Sequence, residues 1–372
     1  MNAGGFWLGG GGCLLLLALS ACAPNFQASA SSQPCPSESD LEFICGALKP
    51  EDLAVIPGGR WLVASGFAPG SGLKLIDTRA RTLQRWFTGK SDQVALNQGR
   101  YPDCMTPPDP ALFNARGISF RETEPGVGEI HVVNHGGRES IEVFAIDSRD
   151  PGVPPQLTWR GCLLLPQGNV GNSVATYSDG TVLVTVLTRP GTTITDFVLG
   201  QKTGYVLERT PGAPQFRVIE GTELEGNNGL ESSKEDDGFY VVAFGPREIV
   251  RFDRSGTTGP VWKVTAPEFM PDNIHWHGRH LLTAGMVRDE PGCGGVRQIV
   301  DGVADGMQCH RGYVVASLDP ASRKWTVVTK SAPSASFNGV STGVIVNGEL
   351  WLGSYQSDRV GVRALPVSEK TN

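Results

Sequence analysis

The chain has 372 residues, with 32 Lys and Arg against 38 Asp and Glu, a formal net charge of −6. That balance excludes a general nucleic-acid binder, which needs a net basic footprint. Hydrophobic residues at 40% and charged residues at 19% exclude a mostly disordered chain, and 48 Gly with 26 Pro, but few long amphipathic runs, point to an all-β protein of short strands and tight turns.

Residues 1–21 carry no charge, Leu14–Leu19 is an apolar run, and Leu19-Ser20-Ala21-Cys22 follows it. Small residues before a Cys are the processing signature of a bacterial lipoprotein, and the run is too short to span a bilayer as a helix of ~20 residues. The expectation is a signal peptide over 1–21, a lipid on Cys22 and a tether over 22–40. Ordinary signal cleavage near Ala23 is the alternative. Either route exports the protein; the lipid would anchor it to a membrane, facing the periplasm or the cell exterior. Six cysteines remain beyond the lipidated one: Cys35, Cys45, Cys104, Cys162, Cys293 and Cys309. An even number in an oxidising compartment predicts disulfides. Cys293 and Cys309 share a Gly-rich segment and form the favoured pair. No close CxxC spacing marks a zinc site.

From residue 52 onward one pattern recurs: a polar residue or pair, an alternating apolar run, a Gly-containing turn, then a second strand ending in small residues. Its copies are Asp52–Ser65, Arg116–Asn134, Asn172–Thr185, Asn228–Ala243, Asp272–Ala284 and Ser341–Gly353. Each reads as a hairpin, and a third strand follows most of them. The mean spacing is about 58 residues, near the ~40–50 of known propeller blades. The prediction is a single-domain, all-β, six-bladed β-propeller over 41–366, with a tail over 367–372. A β-sandwich array is disfavoured by the regular period.

In a propeller the inner strand of every blade lines the central channel, so the residues opening the six repeats converge on one axis. They are Glu51 and Asp52, Arg116, Asn172 and Ser173, Asn228, Asp272 and Asn273, and Ser341. Carboxylates and amide carbonyls gathered at one point make a hard, oxygen-only ligand set. Such a set suits Ca²⁺, which takes 6–8 oxygens at ~2.3–2.6 Å, rather than zinc.

Taken together, Glu51-Asp52-Leu53, Phe113-Asn114-Ala115-Arg116-Gly117-Ile118-Ser119, Val132-Val133-Asn134-His135, Asn172, Asn228-Gly229 and Asp272-Asn273-Ile274 resemble the landmarks of the paraoxonase/arylesterase family. Those are calcium-dependent six-bladed propellers that hydrolyse lactones and aryl esters. More distantly the chain is similar to the gluconolactonase propellers. The resemblance covers roughly residues 41–366 in blade order. It implies that Glu51, Asn172, Asn228, Asp272 and Asn273 hold a catalytic calcium and that His135 helps activate water. It also implies a second, structural calcium on Asp52 and the Ile118 carbonyl. Two departures stand out. Arg116 occupies the place of a family His with a general-base role, and a guanidinium cannot accept a proton near neutral pH. Ser173 stands where the second site has an Asp, which weakens that site. No Cys near the C-terminus offers the family's bridge between first and last strands.

Gly339-Val340-Ser341-Thr342-Gly343 matches the nucleophile-elbow pattern, but a strand follows it where that motif needs a helix. His275 and His277 alternate with Ile274 and Trp276 along a strand; solvated turn histidines are the expected reading, with His275 the one able to enter a pocket. His131 is read as structural. The leading functional expectation is an exported, calcium-dependent hydrolase of lactones or aryl esters acting on a small molecule. Arg116 either polarises a leaving oxygen or binds an acidic substrate. The rivals are a non-catalytic propeller that keeps calcium for structure and a sugar lactonase. Nothing in the sequence signals an oligomer.

Overall fold

The computed structural model describes residues 35–254 and 259–366. Six four-stranded antiparallel sheets succeed one another along the chain. Their inner strands are Leu53–Val55, Ala115–Glu124, Val170–Thr176, Asn227–Ser232, Phe269–His277 and Val340–Val346. Each inner strand packs against the next, and the last packs against the first, so the ring closes around one axis. The predicted six-bladed propeller is the fold. We number the blades I to VI in this order.

Blades I to V are meanders whose strand order in space is their order in sequence, apart from a short hairpin inserted in blade V. Alternating Val, Leu and Ile supply the strands, and turn chemistry separates them. Asn347 and Gly348, both at positive φ (53° and 80°), form the two-residue turn between Val340–Val346 and Glu349–Ser354. Blade VI closes differently. Its fourth strand is Glu42–Cys45 from the other end of the chain, paired with Arg359–Ala364 so that Phe43 faces Gly361. This β-pairing does the work for which the sequence offers no terminal disulfide.

There is no single central core. Apolar clusters fill the spaces between neighbouring blades, as where Leu53 and Leu62 of blade I meet Trp351 and Val360 of blade VI. Middle strands such as Gly238–Ala243 are therefore buried on both faces. Three disulfides form: Cys35–Cys45, Cys104–Cys162 and the expected Cys293–Cys309. The last residues of the expected tether lie within the described part of the chain. Residues 35–40 are docked on the propeller, with Cys35 bonded to Cys45 and the Glu38 carboxylate accepting from the Ser334 hydroxyl (2.8 Å) and the Ala335 amide (3.1 Å). The signal peptide, Cys22 and the tail over 367–372 lie outside the described residues. Among the described residues no helix is long and apolar enough to cross a membrane.

Candidate metal centre and active face

The meander fixes which loops share a face. Inner strands begin where second strands end, so the loops between second and third strands of all six blades gather at the face where the repeats open. In five inner strands the ladder slips at those openings: between Ala115 and Ile118, Gly171 and Val174, Asn227 and Leu230, Pro271 and Ile274, and Val340 and Thr342. A bulge sets extra residues against one partner and re-aims their side chains. Arg116, Asn172, Asn228, Asp272, Asn273 and Ser341 all sit in these bulges. Hydroxyls hold the irregular backbone: Thr185 Oγ1 donates to the Asn228 carbonyl (2.6 Å), Thr283 Oγ1 to the Asn273 carbonyl (2.7 Å) and Ser341 Oγ to the Glu51 carbonyl (2.7 Å). Two bulges need glycine because adjacent blades pinch there. A Cβ on Gly117 would lie 2.6 Å from the Asn172 carbonyl oxygen, and one on Gly229 2.3 Å from that of Asp272.

Five oxygen-bearing side chains are left facing the axis. Asn273 Nδ2 donates to the Glu51 carbonyl (3.1 Å), which turns its Oδ1 the other way. Asn228 lies close enough to the Asp272 carboxyl to oppose the rise in its pKa. Yet Glu51 Oε2, Asn172 Oδ1, Asn228 Oδ1 and Asn273 Oδ1 are all buried without a hydrogen-bond partner. Buried acceptors are almost always satisfied, since stranding one costs ~1–3 kcal/mol. Glu51 and Asp272 are themselves buried. Burial pushes the Asp272 carboxyl up to about 7, and the Asp52 charge adds to the rise. Burial also pushes Glu51 well up, with Asp272 and Asp52 adding to it against the Arg116 cation. Two carboxyls and three amides with stranded oxygens fit a hard cation and nothing softer. Among the described residues no cluster of three or more His, Cys, Asp or Glu could hold a metal; the set here is mostly amide.

Asp52, the side chain expected at a second cation, is engaged by protein groups. Asp52 Oδ1 accepts from the Leu53 amide (2.9 Å), the Thr342 hydroxyl (3.1 Å) and His275 Nε2 (2.6 Å), and Oδ2 from the Ile118 amide (2.9 Å). Ile118 thus offers Asp52 an N–H. Asp52 also forms an ion pair with His275. This corrects the reading of His275 as a solvated turn residue. Despite a burial penalty, the Asp52 and Glu231 carboxylates raise its basicity. Below this plug, a cavity of about 320 Å³ opens at the opposite mouth, away from the stranded oxygens.

On the face where the repeats open, Arg116 lies over the Phe67 ring, its Cζ 3.1 Å from the centroid, and its Nε is buried without a partner. Burial lowers it to about 10, with Glu51 and Glu139 opposing. It therefore stays a cation at neutral pH. His135 follows the second strand of blade II, and both Glu139 carboxylate oxygens stand 2.7 Å from its Nδ1. That fixes the ring and leaves Nε2 for a ligand. Glu139, Phe67 and Tyr355, edge-on to Phe67 at 5.6 Å, were not found by sequence reasoning, and Asn114, quoted only within a motif, has a buried Oδ1 that is also stranded. They sit in loops, which have no period to read; only Glu139, four residues from His135, offered a spacing signal. His131 is buried and held neutral by burial, down to about 4, as a structural residue. Ser341 lies within a strand, as its context predicts.

No protein-family model and no curated protein matches the chain. Among solved structures it is similar to a luciferin-regenerating enzyme, at 12% identity over 88% of this chain and 95% of that one with a TM-score of 0.51. It is also similar to a protein described as a candidate gluconolactonase, at 13% identity over 89% and 94% with a TM-score of 0.51. A gluconolactonase from Xanthomonas campestris aligns at 14% identity over 88% and 89% with a TM-score of 0.49. At these identities the likeness is one of fold alone.

Proposed function

We propose that the protein is a calcium-dependent hydrolase of lactones or aryl esters. One observation carries this reading: four buried, unpartnered oxygens from four different blades, on Glu51, Asn172, Asn228 and Asn273, beside the buried carboxyl of Asp272. These five residues would hold the ion. Bound there, calcium supplies a Lewis acid for a carbonyl oxygen and for the negative charge that grows on it. Of the protein groups on that face, His135 is the proton acceptor. Its Nδ1 is engaged by Glu139, so Nε2 takes the proton of an attacking water. The water oxygen bonds the carbonyl carbon, the bond to the alcohol oxygen breaks, and that oxygen recovers the proton. Arg116 remains protonated and serves as a charge partner rather than a base.

Three disulfides support the further proposal that the chain is exported, and Cys22 is the proposed lipid attachment. The neighbour described as a candidate gluconolactonase brings sugar lactones into the substrate panel. The test is hydrolysis of aliphatic lactones, sugar lactones and aryl esters with calcium and then with chelator. Turnover that chelation leaves intact would refute the reading. Calcium binding without any turnover would instead favour a binding propeller.

A further inference from the structure

Beside the proposed metal centre, the active face carries a second feature that hydrolysis itself does not require. The loop of blade V, Arg288–Gly312, is the insertion closed by Cys293–Cys309. It reaches across to blade III, where the Ala304 amide donates to Thr195 Oγ1 (3.0 Å) in the short helix Ile194–Val198. Arg311, buried, braces it by donating to the Arg288 and Gly295 carbonyls (2.9 and 2.8 Å). Between insertion, helix and blade IV lies a cleft of about 160 Å³, lined by Phe197, Phe244 and Met270 and by the guanidinium side chains of Arg247, Arg288 and Arg297. The two phenyl rings meet edge-on at 5.9 Å.

The charges in this cleft are unbalanced. Among the described residues none of these three arginines forms an ion pair. Arg247 Nη1 reaches the Ala266 carbonyl (3.3 Å) and Arg297 Nε the Asp305 carbonyl (2.8 Å). The nearby Asp305 carboxylate is occupied by the Gln298 and Met307 amides (3.0 and 2.6 Å), and Glu290 by the Gly312 amide (3.1 Å). Burial and the neighbouring Arg288 make Arg247 less basic. Arg247 and Arg288 lie within electrostatic reach of each other, and Arg297 faces the nearby Asp305 carboxylate, so the cleft sets three cations against one carboxylate, an excess of positive charge that a bound anion would relieve. A guanidinium suits carboxylate or phosphate oxygens because its donors are a planar fork. The apolar wall suits something more than a bare ion, and a cavity of about 150 Å³ takes a benzene ring.

The cleft adjoins the metal centre. Met270 in its wall is two residues before Asp272 on the same inner strand, and Tyr355 lies within electrostatic reach of both Asp272 and Arg297.

We propose that the cleft of Arg247, Arg288 and Arg297 against Phe197, Phe244 and Met270 binds an amphiphilic organic carboxylate of about benzoate size, and that on the hydrolase it receives the acidic tail of the substrate. The second half rests on the hydrolase reading; the first does not.

The experiment has two arms on the calcium-loaded, disulfide-bonded protein. In the binding arm, benzoate, benzyl alcohol and inorganic phosphate are titrated and followed by calorimetry and by ligand-observed NMR. Benzoate should bind at least tenfold more tightly than either of the others, and Arg288→Gln and Arg297→Gln should each weaken it about tenfold. Arg288 is exposed, so its substitution leaves the fold in place. Equal affinity for benzoate and benzyl alcohol, or for benzoate and phosphate, or affinity unmoved by both substitutions, overturns the proposal. In the turnover arm, the monophenyl ester of glutaric acid is compared with phenyl pentanoate. The acidic ester should be preferred in kcat/KM, chiefly through KM, and the double substitution should abolish that preference. A preference that survives the substitutions overturns the substrate assignment. Selective benzoate binding with no turnover of either ester refutes the hydrolase reading and leaves the binding site standing.

Discussion

Replacing Asp272 by Asn should move stability in opposite directions with and without calcium. The side chain keeps its size and loses its charge. In the calcium-free protein Asp272 is a buried carboxyl beside Asp52 and the buried Glu51, held at about 7 against an ordinary 3.8. An acid raised in the fold costs nothing below 3.8, where both states are protonated. The cost grows as pH rises from 3.8 to about 7 and is complete above it, because the unfolded chain ionises freely there. Moving the group that far corresponds to on the order of 4 kcal/mol. Asp272→Asn removes this cost, so at pH 8 in chelator the variant should be the more stable protein by a few kcal/mol, on the order of 5–10 °C in Tm. At pH 4 in chelator the two should melt together. In calcium the order reverses, since wild type gains RT ln(1 + [Ca²⁺]/Kd), about 2.7 kcal/mol at a hundredfold excess over Kd, and the variant gains less. Urea and thermal unfolding at pH 4 and pH 8, each with calcium and with chelator, read all four corners. If Asp272→Asn is equally stable with and without calcium, and wild type is as well, the cation assignment of these oxygens is wrong.

Gly229→Ala forces a Cβ to within 2.3 Å of the Asp272 carbonyl oxygen, so it should destabilise the fold by about 2–3 kcal/mol and weaken calcium binding together, as seen by urea titration and a calcium titration. Glu139→Gln takes the charge from beside His135 Nδ1 and should lower kcat about tenfold or more with little change in KM; an unchanged kcat would show that the pair does not serve the reaction. Arg116→His should raise turnover of a neutral aryl ester if a base was missing, with a rise near pH ~6.5, whereas weaker binding of acidic substrates assigns Arg116 to charge recognition. Cys22→Ser should release the protein from membranes and abolish incorporation of labelled fatty acid; wild type found soluble, with its N-terminus after Cys22, would refute the anchor.

The period of about 58 residues, with its alternating strands and Asn-Gly or Asp-Gly turns, was legible because propeller blades are local structures. Each hairpin reports itself within its own stretch of chain. For the same reason the residues opening the repeats could be named as neighbours: Glu51, Asn172, Asn228, Asp272 and Asn273 differ in sequence by up to hundreds of positions but come from the inner-strand openings of four blades. Blade VI broke that rule, since its outer strand comes from Glu42–Cys45, and pairing between chain ends leaves no local signal. The bulges that turn Asp272 and Asn273 together toward the axis were equally hidden, because alternation predicts that consecutive residues face opposite ways. His275 shows the limit most plainly. Its sequence reads as a turn histidine, and only closure of the ring sets it against Asp52, more than two hundred residues away. The sequence by itself determined the repeat and the chemistry at its openings. Which lone pairs remain free for a metal, and which are consumed by a neighbour, was decided by tertiary structure, because that depends on contacts made across the channel.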